Sequence, residues 1–143
     1  MPERKGNKGN KEIREIWAIR EMKKRCIEKY EDIDAWKEGM RLTVNLYKRL
    51  SACKDYGFRD QIQRSAVSIP SNIAEGYDRE SNKEYIRFLY ISRGSCAELR
   101  TQLYLARELE YLNKTDADEF IEKTRKISAM LYNLIQTRIK KFN

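Results

Sequence analysis

Arginine and tyrosine alternate along residues 90–111, YISRGSCAELRTQLYLARELEY. Taken at steps of three and four, the positions are Tyr90, Arg93, Ala97, Arg100, Tyr104, Arg107 and Tyr111. On a helix these fall within an arc of about 100°. Guanidinium groups contact phosphate, and both Arg and Tyr stack on exposed bases. The stripe therefore suits single-stranded or structured RNA, with Arg93, Arg100, Arg107, Tyr104 and Tyr111 as contacts. Tyr and Arg are also enriched at protein interfaces. A subunit contact, or a plain solvated flank, explains the same pattern.

A second constellation is Arg64, Glu75, Arg87 and Glu98. Arg64 and Glu75 are three helical turns apart, as are Arg87 and Glu98. An antiparallel hairpin turning near residue 81 sets Arg64 opposite Glu98 and Glu75 opposite Arg87. The same register sets Ser68 against Gly94, Ala66 against Cys96, Ile73 against Leu89 and Phe58 against Tyr104. Such Arg–carboxylate pairs are ordinarily structural; a catalytic or metal cluster is the alternative. Glu75, Asp78 and Glu80 form a carboxylate group that reads better as solvated charge than as a Mg²⁺ site.

Other chemistry is excluded by what is missing. The chain has no histidine. That removes Ser-His and Cys-His nucleophile systems and the Glu-x-x-His sites of di-iron bundles. There is no Gly-rich phosphate loop, G-x-S-x-G or H-E-x-x-H. The cysteines Cys26, Cys53 and Cys96 are odd in number and form no C-x-x-C, so neither disulfides nor zinc are suggested. The expectation is no enzyme, no cofactor and no metal.

The elements that must position these residues are helices. Trp36, Met40, Val44, Tyr47 and Leu50 recur on one face over about 34–53. Phe58, Ile62, Ala66, Ile69 and Ile73 do so over about 58–77. Ser81 opens a third helix through a capping box with Glu84, running to about Leu112. A fourth begins after Thr115, with Phe120, Ile121, Ile127, Leu131, Leu134 and Ile135 as its stripe. Short connections make neighbours antiparallel. The fold class is all-α: an antiparallel up-down four-helix bundle over residues 30–143. Pro70 sits inside the second helix. It removes a backbone donor and clashes with the Ala66 carbonyl, so a kink is expected there.

Net charge is +8, unevenly spread. Residues 1–29 hold ten Lys/Arg and five Asp/Glu, a basic N-terminal extension. Its first twelve residues should be disordered and residues 13–29 a marginal helix. Met22 offers a second start, which would make residues 1–21 dispensable. Lys23, Lys24 and Arg25 are candidate contacts to nucleic acid. The longest charge-free run, Ser65–Ala74, is too short for a membrane span, and no apolar leader opens the chain. A cytoplasmic protein is expected.

The stretch FRDQIQRSAVSIPSNIAEGYDRES, followed by RFLYISRGSCAELRTQL, resembles the signature of the 23S rRNA intervening-sequence proteins. The resemblance runs from about Tyr30 to Lys141. Its motif positions include Arg64, Ser68, Pro70, Asn72, Glu75, Gly76, Gly94 and Glu98. It implies a small bacterial four-helix bundle. That family is similar in fold to the accessory variability determinant of diversity-generating retroelements, a basic homopentamer that binds nucleic acid and a reverse transcriptase. The resemblance thus implies a homo-oligomer, a pentamer by analogy, with RNA favoured as the nucleic acid. The alternative is a ring-forming adaptor holding a nucleic-acid enzyme such as a reverse transcriptase.

Overall fold

The computed structural model describes residues 8–25 and 27–142, and for residues 8, 20–25 and 142 the backbone alone. Five helices follow one another: α1 Lys8–Arg25, α2 Asp34–Arg49, α3 Tyr56–Tyr77, α4 Asn82–Glu108 and α5 Lys114–Phe142. A single 3-10 turn, Tyr30–Asp32, precedes α2. No strand occurs among the described residues.

The boundaries have local causes. Asp55 caps α3 by accepting from the Phe58 amide at 3.2 Å. Ser81 caps α4 by accepting from the Glu84 amide at 3.1 Å, as its spacing predicts. The Glu84 carboxylate turns instead to Arg87. α5, expected to begin after Thr115, starts at Lys114, because Asn113 takes the cap in place of Thr115 and accepts from the Asp116 amide at 2.8 Å. Just past the end of α4 and its C-cap Leu109, Glu110 takes a left-handed φ of 59°. The Tyr111 amide then closes back on the Ala106 carbonyl at 2.9 Å, the geometry that ends helices most often.

The expected disorder over residues 1–12 is corrected for its last part. α1 begins at Lys8, because the segment is rich in Lys, Glu, Ile and Arg and has no proline after residue 2. The rest of that expectation, residues 1–7, lies outside the described residues.

Helices α2 to α5 close a ring of contacts, α2 on α3, α3 on α4, α4 on α5 and α5 on α2. Thr43 meets Ala66 while Gly39 meets Ile69. Ser68 meets Ser95 while Gly76 meets Phe88. Arg107 meets Asp118 while Asn82 meets Arg138. Rising indices on one helix meet falling indices on the next, so each of these three pairs runs antiparallel. Leu42, Leu46 and Leu50 of the α2 segment meet Ile62, Ile69 and Ile73 of α3, Leu89, Leu99 and Leu103 of α4, and Ile127, Leu131 and Ile135 of α5 in one core. Each is less than 2% exposed. Truncating any one to Ala removes transfer energy and leaves a cavity, about 2–5 kcal/mol.

The core face of α2 differs from the one its large residues suggest. Met40, Val44 and Tyr47 are exposed, and the buried positions are Ala35, Gly39, Leu42, Thr43 and Leu46. The reason is a close crossing with α3. A Cβ on Gly39 would lie 3.2 Å from Ile69 Cγ2 and 3.4 Å from Pro70 Cδ. Small residues therefore face inward, and larger ones are displaced to the flank.

α3 runs through Pro70 to Tyr77. Pro70 has no N–H for the Ala66 carbonyl. Thr43 Oγ1 lies 3.2 Å from that carbonyl oxygen and 2.7 Å from that of Gly39, so one hydroxyl serves both. The neighbouring small polar residues tie α3 to α4. Ser92 Oγ donates to the Ile69 carbonyl at 2.8 Å. Ser68 Oγ and Ser95 Oγ are 2.8 Å apart. Asn72 Nδ2 donates to the Ser68 carbonyl at 2.7 Å and its hydroxyl at 2.8 Å. Buried polar groups are stable only when partnered in this way.

Two packing expectations are corrected. Ser68 faces Ser95, whereas Gly94 is exposed and a Cβ there would meet nothing within 4 Å. The close approach belongs to Gly76, where a Cβ would lie 2.5 Å from Phe88 Cβ. Nor do the cross-helix ion pairs form. Glu75 pairs with Arg79 at 2.8 Å and Arg87 with Glu84 at 3.1 Å, each within one turn. Arg64 and Glu98 are exposed. Long side chains at a solvated surface find partners at i±3 and i±4 more readily than across a groove.

Candidate nucleic-acid interface

The predicted Arg–Tyr stripe lies along the flank of α4 that meets α5. Its core-facing neighbours Ser92, Leu99, Leu103 and Ala106 are buried, which aims the stripe at the α4–α5 groove. The structure divides it into two halves.

The C-terminal half is tied down. Arg107 donates to Asp118 Oδ1 at 2.7 Å and stacks over Tyr104 at 5.1 Å. The hydrogen bond to Asp118 raises the arginine pKa above its ordinary value. Hydrogen bonds from Lys114 and Arg107 hold the Asp118 carboxyl below its own. Tyr111 donates to Asp55 Oδ2 at 2.8 Å, and its ring packs on Phe58 at 5.3 Å. It thus fastens the α4–α5 turn to the start of α3. Phe58 accordingly meets Tyr111 and not Tyr104, as the register had implied. Arg107 and Tyr111 thus each have a carboxylate partner within the fold.

The N-terminal half is open. Arg93 is half-buried, with Nε 3.3 Å from Ser128 Oγ and its guanidinium 5.1 Å above the Tyr132 ring. Arg100 is half-buried and has no carboxylate partner among the described residues. Tyr104 accepts from Arg125 Nη2 at 2.9 Å, and Arg125 also pairs with Glu122. Tyr90, Tyr104 and Tyr132 all expose their rings. The result is a row of rings and guanidiniums with two cations, Arg93 and Arg100, that no carboxylate neutralises.

Arg125, Ser128 and Tyr132 were not singled out from the sequence. Their signal was present: steps of three and four place them on one face of α5. Lys23, Lys24 and Arg25 lie outside the residues whose side chains are described. Beneath the stripe, Cys96 is fully buried, and burial pushes its thiol up to about 12. A thiol held protonated is a packing group, not a nucleophile. No cluster of three or more His, Cys, Asp or Glu that could hold a metal occurs among the described residues. No helix among them is long and apolar enough to cross a membrane.

A helical bundle fastened at a proline by serine, threonine and asparagine contacts defines the class, and the comparisons with known proteins agree with it. Residues 31–133 match the 23S rRNA-intervening sequence protein family, and the chain belongs to that family. Among solved structures, it is similar to a protein of unknown function from the S23 ribosomal protein family of Bacteroides thetaiotaomicron VPI-5482. That likeness has a TM-score of 0.66 at 27% identity, covering 71% of this chain and 97% of the other. No curated protein matches the chain.

Proposed function

We propose that the protein is a non-catalytic, self-associating RNA-binding protein of the cytoplasm, and that RNA lies along the α4–α5 flank. The observation that carries this reading is the pair Arg93 and Arg100. Both lack a carboxylate partner among the described residues and sit between the exposed rings of Tyr90, Tyr104 and Tyr132. Guanidiniums without carboxylate partners attract phosphate, and exposed tyrosines stack on bases whatever their identity. The 23S rRNA in the family's description favours RNA among polyanions. The contact set is Arg93, Arg100 and Tyr104, joined by Tyr90, Arg125 and Tyr132. Arg107 and Tyr111 brace it.

Self-association is supported by two separate exposed apolar surfaces. Met40, Val44 and Tyr47 form one on α2; Leu105 and Leu109 form another near the end of α4. A contact between two different surfaces is head to tail, and such contacts form a ring where the rotation closes. A pentamer follows by analogy with the accessory variability determinant. The adaptor reading, in which the ring holds a nucleic-acid enzyme, uses the same patches for a protein partner.

The test is the double charge reversal Arg93→Glu with Arg100→Glu, read by fluorescence anisotropy on structured RNA, with the mass followed by light scattering. The reading requires affinity to fall at least tenfold with the mass unchanged. Unchanged affinity contradicts the RNA reading. A fallen mass assigns the stripe to a subunit contact.

A further inference from the structure

α1 is a helix without a neighbour. Among the described residues it packs against no other helix. Yet Ile13, Ile16 and Trp17 lie along one side of it, each more than half exposed. An isolated 18-residue helix is marginal in water, so this stripe calls for a covering surface. The bundle has an uncovered apolar groove between α2 and α3. It has a volume of about 330 Å³ and is lined by Tyr30, Trp36, Met40, Val67, Pro70 and Ala74. That space suits an indole and an isoleucine.

Charge matches as well. Residues 8–25 hold seven Lys/Arg and three Glu. This edge of the groove is acidic: Glu31 and Asp32 follow directly on Tyr30, one of its lining residues. Neither has an ion pair among the described residues.

The linker decides which copy supplies the helix. The Ile27 carbonyl accepts from Tyr77 Oη at 3.2 Å, and Ile27 lines a pocket with Leu134, Thr137 and Lys141 of α5. Three residues later Tyr30 packs on Trp36, ring centres 5.7 Å apart. Ile27 is thus held at the α3–α5 end, and Tyr30 beside the start of α2. To reach its own groove, α1 would have to break the Tyr77 contact and double back over Tyr30.

We propose that α1 of one copy docks through Ile13, Ile16 and Trp17 into the α2–α3 groove of a second copy, an exchanged arm oriented by the acidic rim. The arm exchange is independent of where RNA binds. It is tested with the full chain in a Cys26→Ser, Cys53→Ser background, where buried Cys96 is unreactive. One copy carries Ile13→Cys and a purification tag; the other carries Ala74→Cys without a tag. The two are mixed and treated with a short bismaleimide. The expected result is a cross-link between tagged and untagged chains that disappears when the tagged chain also carries Trp17→Ala. Trp17 touches no part of its own bundle, so that change leaves the fold intact. A third sample, one chain carrying both Ile13→Cys and Ala74→Cys, is treated alongside; a cross-link formed within that chain and not between the tagged and untagged copies overturns the exchange. So does the absence of any cross-link, or one that survives Trp17→Ala.

Discussion

Gly76 and Gly94 sit on facing helices, and substitution separates their roles. Gly76→Ala forces a Cβ to within 2.5 Å of Phe88 Cβ, so α3 and α4 must part. The expected cost is about 1–3 kcal/mol. Gly94→Ala meets nothing within 4 Å and should stabilise α4 by about 0.5–1 kcal/mol. Urea titration of both variants checks the opposite signs. Glu110 offers a third residue-scale prediction. Its left-handed backbone strains any side chain, so Glu110→Gly should raise stability by about 1 kcal/mol. Tyr85 and Cys96 set the alkaline limit. Burial raises both, from 10.0 and 9.0, to about 12. The unfolded chain releases these protons first, so their contribution is whole below pH about 9 and is lost as pH rises towards about 12. Thermal melts should fall across that window, and Tyr85→Phe should flatten the fall.

At the scale of helices, the four bundle elements were legible because large apolar residues recur at three and four, and because Ser81 and Asp55 punctuate the chain. The face of α2 was not. Its core positions include Ala35, Gly39 and Thr43, chosen for closeness and not for hydrophobicity, so the eye follows Met40, Val44 and Tyr47 to the wrong side. The meeting of α3 and α4 was nearly legible: the inferred register brings Ser68 within one residue of its true partner Ser95. Its ion pairs were not, since sequence spacing cannot weigh a contact across a groove against one a single turn away. The candidate interface was half legible. Periodicity found Arg93, Arg100 and Tyr104 on one flank. It could not reveal that Asp118 and Asp55 take Arg107 and Tyr111, because those partners come from α5 and from before α3.

At the scale of the molecule, the proposed RNA binding by a chain of net charge +8 should depend on salt. With two to four phosphate contacts per copy, the logarithm of the binding constant should fall with the logarithm of salt at a slope of about −1.5 to −3 per copy. Arg93→Glu with Arg100→Glu should flatten that slope, whereas removing charge elsewhere should only shift the curve. The proposed self-association would multiply the field of one copy, so binding and assembly should strengthen together. The proposed RNA path runs along the open half of the Arg–Tyr stripe. The most direct measurement is ultraviolet cross-linking of the full chain to structured RNA, with the linked peptides mapped by mass spectrometry. The predicted result is adducts on the α4 and α5 peptides that contain Tyr90, Tyr104 and Tyr132. Adducts confined to α1, or none at all under conditions of saturated binding, would contradict it.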